Sequence, residues 1–197
     1  MHTKSSINVK PVTPNSEAHN LRSGKKLDYV REDLSHKNRT WSNEKIHDAR
    51  MRLEENAKRL TGRKMQKKAT PIREGVVNLG KSQKMDDLKK MCVRIEDRFK
   101  IRPLQIHIHE DEGHYKIKTE EWKQNRHAHI VFQWQDESTG KSIKMNKADM
   151  AELQTIVSEE LGMDRGQSSD RKHQHAMQYK LEQMEKDALK LEKELKE

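Results

Sequence analysis

Two short segments of this chain alternate histidine with apolar residues so strictly that they fix both their conformation and their neighbours. The first is Ile106-His107-Ile108-His109 and the second is His127-Ala128-His129-Ile130, followed by Val131 and Phe132. A period of two is the side-chain period of a strand, so His107 and His109 share one face, and His127 and His129 share one face. Ile106, Ile108, Ile130 and Phe132 then supply the opposite, apolar face that such a pair needs for packing. The chain must therefore build a sheet with one side buried under other elements and an imidazole-rich side, which Gln105 can share.

Three or four imidazoles gathered on one sheet face carry like-charge and desolvation costs unless hydrogen bonds or a cation offset them. Neutral rings in ordinary hydrogen bonds are one reading. A divalent metal held by His109, His127 and His129 is the reading preferred, with His107 spare as a supporting, structural or DNA-contacting residue. Imidazole coordination suits Mn, Zn, Ni or Co better than a site built only of oxygens, and Mn is the favoured ion, with Mg also considered. His109 leads into Glu110-Asp111-Glu112-Gly113, a turn that can return Glu112 to the cluster as shell-orienting group or base; Asp111 is second choice.

Charge narrows the chemistry. The net formal charge is +9, but residues 1–100 carry 25 Lys/Arg against 13 Asp/Glu, whereas the remainder is slightly acidic. Between Lys37 and Lys68 there are 11 basic and 4 acidic residues. A one-sided excess of this kind favours an anionic partner, nucleic acid in particular. The basic stretch lacks the large aromatic-rich apolar face of a membrane-surface helix. No apolar run is long enough to span a bilayer and no signal peptide is recognisable, so a bacterial cytoplasm is the expected location. Cys92 is the only cysteine, which excludes an internal disulfide and a thiolate cluster.

Along the chain, residues 5–12 read as an edge strand, because Pro11 cannot donate to a ladder. Residues 13–41 are polar and read as turns or a brief helix. Ile46, Ala49, Leu53, Ala57 and Leu60 recur at helical spacing until Gly62, and the polar side of this helix carries much of the basic stretch. Arg73–Leu79 reads as a strand. Met85, Leu88, Cys92, Ile95 and Phe99 mark a second helix with Ser82 as cap, and a buried thiol is expected at Cys92. Residues 101–109 and 126–134 are the clearest strands, with a hairpin insertion around Tyr115 between them. Asn146 and Asp149 cap a helix carried by Met150, Leu153, Ile156, Val157 and Leu161, stopped by Gly162. Met177, Leu181, Met184, Ala188, Leu191 and Leu195 make a heptad-like stripe in a charged run at 171–197. That segment reads as the start of a longer coiled coil and a route to a homodimer, appended to a domain at 1–170.

Further motifs carry a resemblance. His19-Asn20-Leu21-Arg22 matches a His-Asn-x-Arg element, and Ser35-His36-Lys37-Asn38 a Ser-His-x-Asn element. His109-Glu-Asp-Glu112 with His127-Ala-His129 matches a His-x-Asp-Glu and His-x-His metal motif, and Leu161-Gly-Met-Asp-Arg-Gly166 follows. Together they resemble the N-terminal domain of MobV-type plasmid or transposon mobilisation relaxases, the Mob/Pre plasmid recombination family, over almost the whole chain. The chain departs from that pattern by placing fourteen residues between Glu112 and His127.

The resemblance implies an α/β (α+β) domain of the two-histidine (HUH) relaxase kind, with a central antiparallel sheet and helices mainly on one face. It implies a metal-dependent, strand-specific endonuclease that nicks single-stranded or supercoiled DNA at an origin of transfer, serving conjugative mobilisation with coupling or accessory proteins. His19 is then the nucleophile, forming a covalent 5′-phosphate adduct, with Glu112 holding its proton and Arg22 clamping a phosphate or that carboxylate. Tyr29, in the polar loop region, is the alternative nucleophile, ahead of Tyr115 and Tyr179. His36, Asn38, Arg50, Arg59, Arg63, Lys64, Lys67, Lys68 and Arg73 are the expected DNA contacts. Two other readings remain: a metal-dependent phosphodiesterase using water, and a non-enzymatic nucleic-acid-binding module with a structural metal. A reading in which the terminal heptads are the whole purpose leaves the first 160 residues unexplained.

Overall fold

The computed structural model describes residues 4–116 and 119–166, with positions 181, 184–186, 188, 189 and 192. Met177, Tyr179, Leu191 and Leu195 lie outside the described residues. The main unit holds residues up to His114 and from Lys123 to Gly166, and a smaller unit contains the hairpin tip Tyr115–Trp122.

Four strands read from the sequence form the body of the sheet: β2 (Ile7–Pro11), β4 (Ile72–Asn78), β5 (Arg102–His109) and β8 (His127–Gln133). A two-residue strand β1 (Lys4–Ser5) precedes them and pairs in parallel with β9 (Asp164–Arg165). The fifth strand of the sheet, β3 (Arg39–Ser42), falls in the segment read as turns. The order is β2-β4-β8-β5-β3, and every neighbouring pair is antiparallel. β2 lies at one edge, where Pro11 lacks only a donor that the ladder does not need. A separate ribbon pairs β6 (Gly113–Tyr115) with β7 (Trp122–Gln124) in the insertion, and the rings of Tyr115 and Trp122 meet edge to face with centroids 5.1 Å apart.

The apolar face of the sheet carries Ile106, Ile108, Ala128, Ile130 and Phe132 and packs against α3 (Met85–Phe99) and α4 (Lys147–Glu160). The Cys92 thiol is buried in that layer, and burial pushes its pKa up to about 12, which fits a packing role. Asn146 and Asp149 cap α4 reciprocally, each accepting the other's backbone N–H at 2.9 Å. The cap expected at Ser82 is corrected: α3 begins after Lys84, whose N–H donates to Asp87 at 2.8 Å. Gly62 and Gly162 end their helices with φ of +70° and +57°.

The basic helix α2 (Ile46–Thr61) lies on the other face. Its buried Ala49 and Leu53 pack with Ile72, Leu104 and Val131. Val131 shares the face of His127 and His129, so α2 covers one end of the histidine face and leaves the other end to the short helix α1 (Ser16–Asn20) and the acidic turn.

Candidate metal and nucleophile site

The register sets His107 opposite His129 and His109 opposite His127, so four imidazoles occupy one patch of two central strands. On the next strand Glu74 pairs with Val131, which puts its carboxylate on the same face. Sequence order gave no sign of Glu74: the strand was legible, but which histidine it meets depends on register.

Hydrogen-bond partners decide where the ring protons sit. His127 Nδ1 faces the Asn125 carbonyl at 2.8 Å and must donate, leaving a lone pair on Nε2. His109 Nε2 faces the Asn20 carbonyl at 3.1 Å and must donate, leaving a lone pair on Nδ1, a buried atom with no hydrogen-bond partner. His129 Nδ1 lies 3.2 Å from Glu74 Oε1, too poorly aligned for a full hydrogen bond, yet the carboxylate favours the proton on that nitrogen. Nε2 of His129 then points a lone pair at Nε2 of His127, 3.0 Å away. Two facing lone pairs repel, and a proton or a cation removes the repulsion. Three imidazole lone pairs on one patch, each backed by a carbonyl or carboxylate on its other nitrogen, have the donor chemistry that suits a divalent metal.

His107 differs. Its Nε2 donates to Gln105 Oε1 at 3.0 Å and its Nδ1 meets the Thr40 hydroxyl at 3.2 Å, so both nitrogens are engaged. Gln105 in turn donates to Glu17, which also accepts the Ile46 N–H at the start of α2. Burial pulls the pKa of His107 and of His127 down to about 4, so both rings stay neutral well into acid.

The turn after β5 completes the site. Glu112 Oε1 is 3.3 Å from His19 Nε2, 3.3 Å from His109 Nδ1 and 2.7 Å from Arg22 Nη2. Burial raises the pKa of Glu112, but hydrogen bonds from His19 and Arg22 hold it well below the usual carboxylate range. A group of ligand-type atoms from His19, His109, Glu112 and His129 fits within 4.8 Å, while His127 sits beside it against His129. Arg22, at φ +55°, reaches Asp111 through Nε and Nη2 and also donates to the His19 carbonyl. Asp111 is fully buried and further accepts from Ser35 Oγ and Asn38 Nδ2, both at 2.7 Å. Burial acts against ionisation there, yet Arg22, Ser35 and Asn38 bring its pKa down to about 2. With four donors on two oxygens, Asp111 has no capacity left to act as a base.

The remaining expected residues separate. Tyr29 is drawn to the same edge, since Val30 bridges Glu112 and the Gly113 N–H donates to the Tyr29 carbonyl. Burial and the Glu112 charge raise its phenol pKa. Asn38 spends its amide on Asp111 and on the Glu110 N–H, so it braces the turn, whereas His36 is exposed beside it. Arg59, Arg63, Lys64, Lys67 and Lys68 are exposed, Arg59 donating to Asn56, and Arg50 pairs with Glu54. Arg50, Lys58, Lys64 and Lys67 line a groove of about 820 Å³ together with Glu54 and Glu55. Arg73 pairs with Phe132, so it projects from the face opposite the histidines, where its guanidinium stacks 4.9 Å from the Trp134 ring. Arg126 was missed, and it ties the start of β8 to Glu110, Gly80 and Gln83.

No family model matches the chain, and no curated protein matches it in sequence. Solved structures do. A Mn-bound MobM relaxase domain (MOBV; Mob_Pre) with 22 nucleotides of plasmid pMV158 oriT DNA superposes with a TM-score of 0.68 at 13% identity, covering 90% of this chain and 98% of that one. A Mn-bound complex of the same domain with 23 nucleotides gives 0.68 at 11% identity, covering 92% and 99%. Across nine-tenths of its length, this chain has the fold of the MobM relaxase domain.

Proposed function

We propose that this chain is a DNA relaxase of the Mob/Pre kind, which nicks one strand at an origin of transfer and keeps the 5′ phosphate on His19. One observation carries the reading: His19, Glu112 and Arg22 come from segments 90 residues or more apart in part, yet they converge on the lone pairs of the histidine strands. The MobM neighbours are bound to oriT DNA and to Mn, which supports DNA as substrate and Mn as the ion.

In this reading His109, His127 and His129 would hold a divalent ion, which would supply positive charge to the scissile phosphate. Glu112 faces His19 Nε2 and holds the proton there, so in the neutral ring Nδ1 carries the lone pair that attacks. The new bond is N–P; the bond that breaks is P–O3′, and its electron pair leaves with the 3′ oxygen. Arg22 keeps Glu112 ionised and oriented, because its fork is held on its other side by Asp111. In the reverse step the same 3′ oxygen attacks phosphorus, the O3′–P bond forms, the N–P bond breaks with its electron pair returning to His19 Nδ1, and the strand is rejoined. Mobilisation in a bacterial cytoplasm, with coupling or accessory proteins, follows from the same reading, and the heptad pattern of residues 171–197 would allow a homodimer.

His19 also lies among the atoms that can gather on one ion. If it serves as a ligand, water becomes the attacking group and the protein is a phosphodiesterase. The test is incubation with Mn2+ and supercoiled DNA carrying the cognate origin, followed by denaturing electrophoresis. A nicked product whose 5′ end carries protein supports the relaxase; a nicked product with a free 5′ phosphate overturns it in favour of the water reaction.

A further inference from the structure

Glu74 touches both halves of the site. Its Oε1 accepts from Asn20 Nδ2 at 2.7 Å and lies 3.2 Å from His129 Nδ1, and its Oε2 accepts from Ser16 Oγ at 3.5 Å. Ser16 and Asn20 are four residues apart, so they lie on one face of α1, and both are buried. A five-residue helix has too few internal hydrogen bonds to hold itself, so its seat is set by what it docks on. His19, next to Asn20, goes where that seat puts it. Asn20 is gripped twice, through its side chain by Glu74 and through its carbonyl by His109 Nε2. The helix bearing His19 is thus clamped between two groups that also define the histidine cluster.

We infer that Glu74 is a positioning residue with two simultaneous tasks: it holds His129 as the Nδ1–H tautomer, aiming Nε2 into the cluster, and it seats α1 so that His19 faces Glu112. The inference rests on the reading of the histidines as metal ligands and of His19 as the attacking group. A carboxylate suits both tasks because it offers acceptor sites on two oxygens to three donors and adds no donor of its own. Glutamine at this position keeps the size but has one acceptor oxygen, and its NH2 must face Asn20, Ser16 or His129.

Two readouts on DNA-free protein test this: side-chain 1H–15N NMR of the histidines without metal, and Mn2+ titration followed by the electron paramagnetic resonance of the free ion. In the wild type His129 is expected as Nδ1–H. Glu74→Ala is expected to redistribute the ring toward Nε2–H and to weaken Mn2+ binding by about 10–100-fold. Glu74→Gln, which protects against a variant that fails to fold, is expected to move both readouts the same way by less. Asn20→Ala is expected to keep the His129 tautomer of the wild type, and to weaken Mn2+ binding less than Glu74→Ala does, while slowing attachment of DNA to the protein. Unchanged tautomer and affinity in the folded Glu74 variants would overturn the inference, as would an Asn20→Ala loss of Mn2+ affinity equal to that of Glu74→Ala. A wild type that binds Mn2+ but never attaches DNA sinks the proposed reaction and leaves the tautomer result standing.

Discussion

Replacing Asp111 with alanine is expected to be among the most damaging single changes in this chain. The side chain is fully buried and accepts from Arg22 Nε and Nη2, Ser35 Oγ and Asn38 Nδ2, all between 2.7 and 2.9 Å. Removing it leaves a largely buried guanidinium with half its partners and strands two neutral donors. Breaking a buried charge pair costs about 3–5 kcal/mol, and each charge-assisted hydrogen bond about 1.5–3 kcal/mol, though the four are not additive. Linkage gives an independent lower figure. The carboxyl titrates near 3.8 when free and at about 2 here, which corresponds to about 2 kcal/mol of stability at neutral pH. The folded pKa is the lower one, so this contribution is present above pH 3.8 and is lost as pH falls through about 2. The alanine figure is larger because truncation also strands the donors. Urea unfolding at pH 7, followed by circular dichroism without metal, should show a loss of roughly 3–4 kcal/mol with an unchanged m-value. The Arg22→Ala, Asp111→Ala double variant should lose little more than the worse single variant, because the two residues act as one unit. A loss under about 1 kcal/mol for Asp111→Ala, or fully additive single losses, would refute the reasoning.

Other outcomes follow from the same geometry. Gly75→Ala sets a Cβ 2.8 Å from Ile7 Cδ1 and 3.2 Å from a Phe132 ring carbon, so thermal melts should show a loss of roughly 1–3 kcal/mol, partly recovered by Ile7→Val, which removes Cδ1. Because His107 and His127 have pKa values of about 4 here against 6.5 when free, the unfolded rings take up protons that the folded ones refuse. Metal-free stability should therefore fall as pH drops from 6.5 toward 4, by up to roughly 3 kcal/mol per ring, and flat urea midpoints across that window would contradict the assignment. Joint Lys64→Ala and Lys67→Ala substitution should weaken DNA binding across sequences and reduce its salt slope by up to about two, while Arg73→Ala should leave DNA affinity unchanged and lower the melting temperature. Equal losses of DNA affinity in the two would show that the face assigned to Arg73 is wrong.

The parts of this molecule that were legible in the sequence are those governed by local period. Alternation placed His107, His109, His127 and His129 on strands with a common face, and helical spacing placed the stripes of α2, α3 and α4. Strand β3 was not legible because Arg39–Ser42 contains one large apolar residue, Trp41, and is extended only because it pairs with β5. The side of Arg73 was recoverable in principle, since it shares parity with Gly75 and Val77 rather than with Ile72 and Val76. That α2 lies on the histidine face left no local trace, as its stripe fits either side of a sheet. Glu74 and Glu17 escaped for the same reason: each is an ordinary polar residue until register brings it against a histidine or a helix end. His19 and Glu112, 93 positions apart in the chain, were joined by motif resemblance, and their 3.3 Å separation is a tertiary fact.

The central claim is that His19 carries the DNA. The most direct measurement is peptide mapping, by mass spectrometry under alkaline conditions, of protein trapped with Mn2+ and an origin oligonucleotide. The account predicts a nucleotide joined to the peptide bearing His19 through an acid-labile N–P bond, absent in His19→Ala and retained in Tyr29→Phe. A nucleotide joined to Tyr29 through an acid-stable bond, or cleavage with no joined peptide at any time, would contradict it.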